Sequence, residues 1–176
     1  KAREILFPES KTSGVDKLER PVEVIPCCVD LKRFALADEA SRVEMRRRFN
    51  IGDRFVIAYV GSFGGWYLTD EMFEFFDAAR EIDPTVFIMV LTQRDKVMVV
   101  DRLTAAGFGE TDIFVDTVLP SEIPQYLNAA DAGLSFIKRC YSKQSSSPTK
   151  NAEYLACGLP IIANPGQWND EPMPIF

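Results

Sequence analysis

The sequence contains no histidine. That absence removes the commonest general base and the commonest metal ligand, so any chemistry here proceeds without imidazole. Cysteine is scarce: Cys27, Cys28, Cys140 and Cys157 offer no CxxC spacing, and two sequence neighbours cannot readily bridge to each other. Reduced thiols in a cytoplasmic protein are what these spacings predict. No apolar run approaches the roughly 18 residues of a membrane span, and no charged leader with an apolar stretch opens the chain. Membrane association is therefore expected to be peripheral at most. Basic residues are also in deficit, 20 against 26 acidic, for a net charge of −6. That balance argues against nucleic acid as a partner.

What is present is enough to fold. With 176 residues, 47% of them hydrophobic, the chain can bury a core of its own. It begins inside KAREIL, read as a helix, and stops after NPGQWNDEPMPIF with no closing element, so it is expected to be a fragment. Residues 1–33 read as a lead-in: a short helix, a polar loop (PESKTSGVDKLER) and a strand at 22–25 halted by Pro26. After that the chain alternates. Ser41 and Glu44 form a capping box that opens a helix to about residue 49. A strand at 55–60 (FVIAYV) leads to a helix with Met72, Phe75, Phe76 and Ala79 on one face. A second strand at 86–91 (VFIMVL) precedes a helix capped by Asp95 that carries Val97, Val100 and Leu103. A strand at 113–115, a helix from 120–121 to 129, a strand at 133–137, a helix at 148–157 and a strand at 159–163 complete the series. Uniformly apolar strands separated by amphipathic helices predict a parallel sheet covered on both faces. The fold class is α/β, Rossmann-like and doubly wound.

In such a sheet ligands bind beyond the carboxyl ends of the strands, at the switch in strand order. Three loops lie there. The first is Gly61-Ser62-Phe63-Gly64-Gly65-Trp66-Tyr67, where glycines let backbone N–H groups approach a phosphate and a helix follows. It matches neither the GxGxxG fingerprint nor a P-loop, and a tight strand-to-helix turn would use glycine equally. Trp66 and Tyr67 either pack this loop down or stack on a sugar or base. The second is Thr92-Gln93-Arg94, either an ordinary polar surface loop or one able to reach a ligand across the crevice. The third is SSSPTKNAEYLACGLPII. Ser147 is a natural N-cap and Pro148 a natural first helical residue, which puts Lys150 in the first turn. The helix dipole disfavours a cation there. Lys150 and Glu153 share a face opposite Ala152, Leu155 and Ala156, as an ion pair on a solvated surface would. Alternatively, the lysine, the serines, Thr149 and the helix N–H groups share an anion with the glycine loop, and Glu153 accepts from sugar or ribose hydroxyls.

Four segments, in order, carry a resemblance. VEVIPCCVDLKRF resembles the hinge segment of group 1 GT-B glycosyltransferases, and YVGSFGG the start of their donor-binding domain. IFVDTVLPSEIPQYLNAADAGLSF and NAEYLACGLPIIAN are similar to their proline-containing helix and their EAmAcGlPVIa signature. The resemblance implies a retaining sugar transferase with two Rossmann-like domains and no cofactor or metal. Its donor would be a nucleotide sugar, UDP- or GDP-linked, and its acceptor a sugar or glycolipid held by an N-terminal domain. Residues 1–33 would then be the tail of that domain and the hinge, and 34–176 the donor domain, truncated at its end. Carried over by position, Gly61, Ser62, Gly64, Gly65, Ser146, Ser147, Thr149 and Lys150 would hold the diphosphate. Glu153, Val118, Gln93 and Arg94 would hold the ribose and base. Ser145 would face the donor sugar, and Lys150 and Glu153 would be the catalytic pair. The family's arginine and lysine in the first loop are absent; Ser62 and Trp66 stand there. Lys150 is the candidate replacement, ahead of Arg139 and Lys138, and Ser145 stands where the family has a glutamate. A non-catalytic scaffold of this fold and a sugar-nucleotide epimerase are the alternatives.

Overall fold

Five parallel strands form from the five apolar runs: β1 (Val56–Val60), β2 (Phe87–Leu91), β3 (Ile113–Asp116), β4 (Ala132–Ser135) and β5 (Ile161–Ala163). The computed structural model describes residues 2–24, 28–138, 140 and 148–164. The strand order is β3-β2-β1-β4-β5, which places the switch point between β1 and β4. Strand β1 is in register with β2 along its whole length, from Val56 opposite Phe87 to Val60 opposite Leu91. Its pairing with β4 is confined to Ile57 with Ala132 and Ala58 with Gly133. Beyond that point the two strands are no longer paired.

The connecting helices divide between the two faces. Helices α4 (Thr69–Ile82) and α5 (Lys96–Ala105) bury Met72, Phe73, Phe76, Val99 and Leu103 against Ile57, Tyr59, Ile88 and Val90. Helices α6 (Ile123–Leu127) and α7 (Thr149–Ala156) bury Tyr126, Leu127 and Tyr154 against Ala58, Phe87 and Met89 on the other. Alternate residues of each strand serve the two cores, which is why the strands read as continuously apolar. Burial of each large side chain contributes about 1.5–3 kcal/mol.

Several boundaries and faces differ from those expected. Helix α3 (Glu39–Arg48) starts before Ser41: Asp38 caps it, accepting from the Ser41 N–H at 2.7 Å. Aspartate and serine compete as caps, and the carboxylate adds charge at the positive helix end. On α5 the buried residues are Val99 and Leu103, and Val97 is exposed. The run Val97-Met98-Val99-Val100 is apolar at every position, so periodicity does not choose the face. In the lead-in, α1 (Ala2–Leu6) is followed by a four-residue helix α2 (Ser10–Ser13) within the segment read as loop. Buried Ser10 holds that turn by donating to the Phe7 carbonyl. Residues 22–24 form no strand; a single bridge joins Val15 to Pro21.

At the amino edge of the sheet, arginines close the strand ends. Asp131 accepts from Arg42 at 2.5 Å, from Arg46 at 3.2 Å and from the Val56 N–H at 2.8 Å. Arg42 also donates to the carbonyls of Asn128 and Ala130, tying α3 to the start of β4.

Candidate functional site at the carboxyl edge of the sheet

The ladder between β1 and β2 continues one residue past β1, with Gly61 N–H donating to the Leu91 carbonyl at 3.0 Å. Gly61 then takes φ 146°, a conformation L-residues avoid, and a Cβ there would stand 3.3 Å from both Lys150 Nζ and Tyr59 Oη. The rest of the loop is braced from every side. Tyr59 Oη donates to the Ser62 carbonyl at 2.5 Å, and Gly64 N–H donates to Thr69 Oγ1 at 2.7 Å. Phe63 N–H donates to Asp95 Oδ2 at 3.1 Å. Asp95 was expected to cap α5 but makes no side-chain cap bond there; it serves the glycine loop instead. Tyr67 forms an antiparallel bridge with Ile137, and Lys138 N–H donates to the Trp66 carbonyl, so the segments after β1 and β4 are joined.

Helix α7 delivers the other half of the site. Pro148, extended, occupies the N-cap position and Thr149 is the first helical residue, one later than expected. Of the expected inward face, Ala156 packs against the core and Leu155 does not. Lys150, Asn151 and Tyr154 are buried, and Leu155 is 47% exposed. Tyr154 sets this rotation: its ring lies flat over Gly133, where a Cβ would meet it at 2.4 Å. Its hydroxyl accepts from the Val60 N–H at 2.9 Å and donates to the Leu134 carbonyl at 3.4 Å. With Tyr154 inward, Lys150 one turn earlier is inward too.

Lys150 is 6% exposed, so it does not lie on a solvated face. Its Nζ stands 4.3 Å from the ring centre of Tyr59 and 4.2 Å from that of Tyr67, with no hydrogen-bond partner. Burial pulls its pKa down to about 7, against the charge of Glu153, which raises it. Glu153 is half-buried, and that burial raises its carboxyl pKa, opposed by Arg33 and by Lys150. Among the described residues no ion pair joins Lys150 to Glu153. Both polar atoms of the Asn151 amide, 2% exposed, are also unpartnered. Asn151 was not singled out from the sequence, because an asparagine in a helix carries no signal of which way it faces.

Two further expected residues come together: Gln93 Nε2 donates to the Val118 carbonyl at 3.4 Å. Beneath them Thr117 Oγ1 donates to the Thr92 carbonyl at 2.7 Å, and the buried Thr92 hydroxyl has no partner of its own. Arg94 is exposed beside them. The lead-in reaches this edge as well, since Arg33 donates to the Pro120 carbonyl. Ser145, Ser146, Ser147 and Arg139 lie outside the described residues.

No family model and no curated protein sequence matches the chain. Solved structures do. HepE of Anabaena in complex with UDP-glucose superposes with a TM-score of 0.63 at 18% identity, over 80% of this chain and 38% of HepE. The C-terminal domain of LpcC, a group 1 family glycosyl transferase from Francisella tularensis, gives 0.60 at 20% identity over 81% of this chain and 74% of that domain. WaaG, a glycosyltransferase involved in lipopolysaccharide biosynthesis, gives 0.62 at 16% identity over 88% of this chain and 40% of its own. The chain thus spans well under half of HepE and of WaaG. Its fold is that of the Rossmann-like, C-terminal half of a GT-B glycosyltransferase.

Proposed function

We propose that this protein is the nucleotide-sugar-binding part of a glycosyltransferase that transfers a sugar with retention of configuration. The observation that carries the reading is the amino group of Lys150, buried against the bare backbone of Gly61 with no hydrogen bond and no ion pair among the described residues. A buried unpaired charge costs several kcal/mol, and a folded chain keeps one where a ligand supplies the opposite charge. A diphosphate meets the remaining needs: the amino end of α7 favours an anion, and the loop, although its Gly61, Phe63 and Gly64 N–H groups are engaged within the protein, presents Gly64 and Gly65 with no side chain to block an approach. Glu153, one turn further along α7, accepts from ribose hydroxyls. The polar edge at Gln93, Arg94 and the Val118 backbone holds the base, and Ser145, Ser146, Ser147 and Thr149 complete the phosphate and sugar contacts. Departure of the nucleoside diphosphate is then assisted by fixed dipoles and one cation in a water-poor site. HepE, a structural neighbour, binds UDP and UDP-glucose, which supports a nucleotide-sugar donor. In this reading residues 1–33 belong to an acceptor-binding domain and the hinge, and that domain holds a sugar or glycolipid acceptor.

Calorimetry with UDP, GDP, dTDP and ADP on the native protein, Lys150→Ala and Glu153→Gln tests the reading. One diphosphate binds the native chain and, at a hundred times its Kd, stabilises it by about 2.7 kcal/mol. Lys150→Ala weakens that binding by ~10- to 100-fold and Glu153→Gln by about tenfold, the range of charge-assisted hydrogen bonds. Binding of none of the four, or equal Kd values across the three proteins, overturns it.

A further inference from the structure

A lysine enclosed by protein and left without a partner ordinarily gives up its proton. Lys150 is enclosed largely by aromatic faces. Its Nζ lies over Tyr59 at 4.3 Å and over Tyr67 at 4.2 Å, inside the roughly 6 Å at which a ring attracts a cation, and the attraction grows when the pair is desolvated. Both rings are fixed. Tyr59 is fully buried in β1 with its hydroxyl bound to the Ser62 carbonyl, and burial raises its pKa, so the phenol stays neutral. Tyr67 is held by its bridge to Ile137 and meets Tyr59 edge-on, with ring centres 6.4 Å apart. The other ionisable groups nearby do not take over this task. Glu153 on the same helix forms no ion pair with the lysine among the described residues. The Asp95 carboxylate is engaged by the Phe63 N–H, and the Tyr154 hydroxyl by Val60 and Leu134.

We propose that Tyr59 and Tyr67 are positioning residues that stand in for a counter-ion, keeping Lys150 an ammonium aimed at Gly61 before any anion is bound. This rests on the diphosphate reading only for its purpose: a cation kept charged and seated meets a diphosphate without proton uptake or side-chain search. The two rings oppose the effect of burial. A negatively charged side chain in their place would pair with the lysine and compete with the ligand, whereas a ring face attracts the ammonium and leaves its hydrogen-bond donors open.

The test grades the ring and keeps its shape. Lysine side-chain carbon NMR, with the Lys150 signal assigned by its loss in Lys150→Met, reads the titration midpoint in three proteins: native, Tyr67→Phe, and one with trifluorophenylalanine at position 67. Fluorine withdraws the ring's negative face with little change in size, so loss of fold does not confuse the result. Native and Tyr67→Phe are expected to titrate together. Fluorination is expected to lower the midpoint by about one pH unit and to weaken UDP binding several-fold above the lowered midpoint, with no change at acid pH. A midpoint indifferent to fluorination overturns the proposal. Failure of UDP to bind any of the three, with the midpoint still shifting, overturns the diphosphate reading and leaves the ring assignment standing.

Discussion

Lys150 costs the fold stability, and that cost has a measurable signature. In the unfolded chain the lysine holds its proton up to its ordinary pKa of 10.5; in the folded protein burial pulls that value down to about 7. Between these limits the unfolded state binds more protons, so stability rises with pH across that window. The two rings narrow the window without reversing its sign. Lys150→Met is therefore expected to be more stable than the native protein near neutrality by about 1–3 kcal/mol. The gap should shrink as pH rises toward 10, as urea denaturation at several pH values would show; a pH-independent gap would mean that the lysine does not titrate inside the fold. The anomaly of a lysine at a helix start was legible in the sequence. Its surroundings were not, since Tyr59 sits within the apolar run FVIAYV and reads as ordinary core. Asn151 was equally silent, because its two unpaired amide atoms are visible only once Tyr154 has fixed the helix rotation.

Among the elements, α7 shows where a periodic pattern misleads. An apolar tally puts Leu155 inside and Lys150 outside, and the helix does the reverse. What outweighs the leucine is a tyrosine that finds a glycine beneath its ring and a backbone N–H for its hydroxyl, so one residue satisfies packing and hydrogen bonding together. Gly133→Ala should therefore do more harm than an added methyl ordinarily does. Neither the buried ring nor the strand can yield, so a loss of about 2–4 kcal/mol is expected, at the upper end of overpacking costs, with a parallel loss of UDP binding as α7 lifts. Thermal melts with and without UDP would check it; a variant that melts like the native protein would show that the contact is slack. The five strands of the sheet, by contrast, were located within a residue or two, because a strand buried on both faces leaves an uninterrupted apolar run, whereas the run at 22–24 forms no strand.

Taken whole, the molecule separates its two sheet edges by task. The amino edge is closed by Asp131, which joins Arg42, Arg46 and the Val56 N–H; at the carboxyl edge Lys150 Nζ, the Asn151 amide and the Thr92 hydroxyl make no hydrogen bond among the described residues. Asp131→Ala takes the carboxylate from Arg42 and Arg46, which keep their carbonyl partners, and leaves the Val56 N–H without its acceptor, so a loss of about 1–3 kcal/mol is expected, with the Kd for UDP unchanged at temperatures where the variant remains folded. A binding defect of equal size would show that the two edges are coupled. The parallel, doubly wound architecture was legible because alternation of strand and helix constrains topology strongly. The lead-in was not: its second helix has four residues and depends on one buried serine, too short a span for any period to register. The hydroxyl of Tyr154 has a consequence at this scale. It takes the Val60 N–H where β4 no longer pairs with β1, and it reaches Leu134 in β4, so it works as a spacer between the two halves of the sheet. The separation of β1 from β4 at this point is thereby gauged by one side chain, and a shorter residue there would change that spacing as well as the packing behind it.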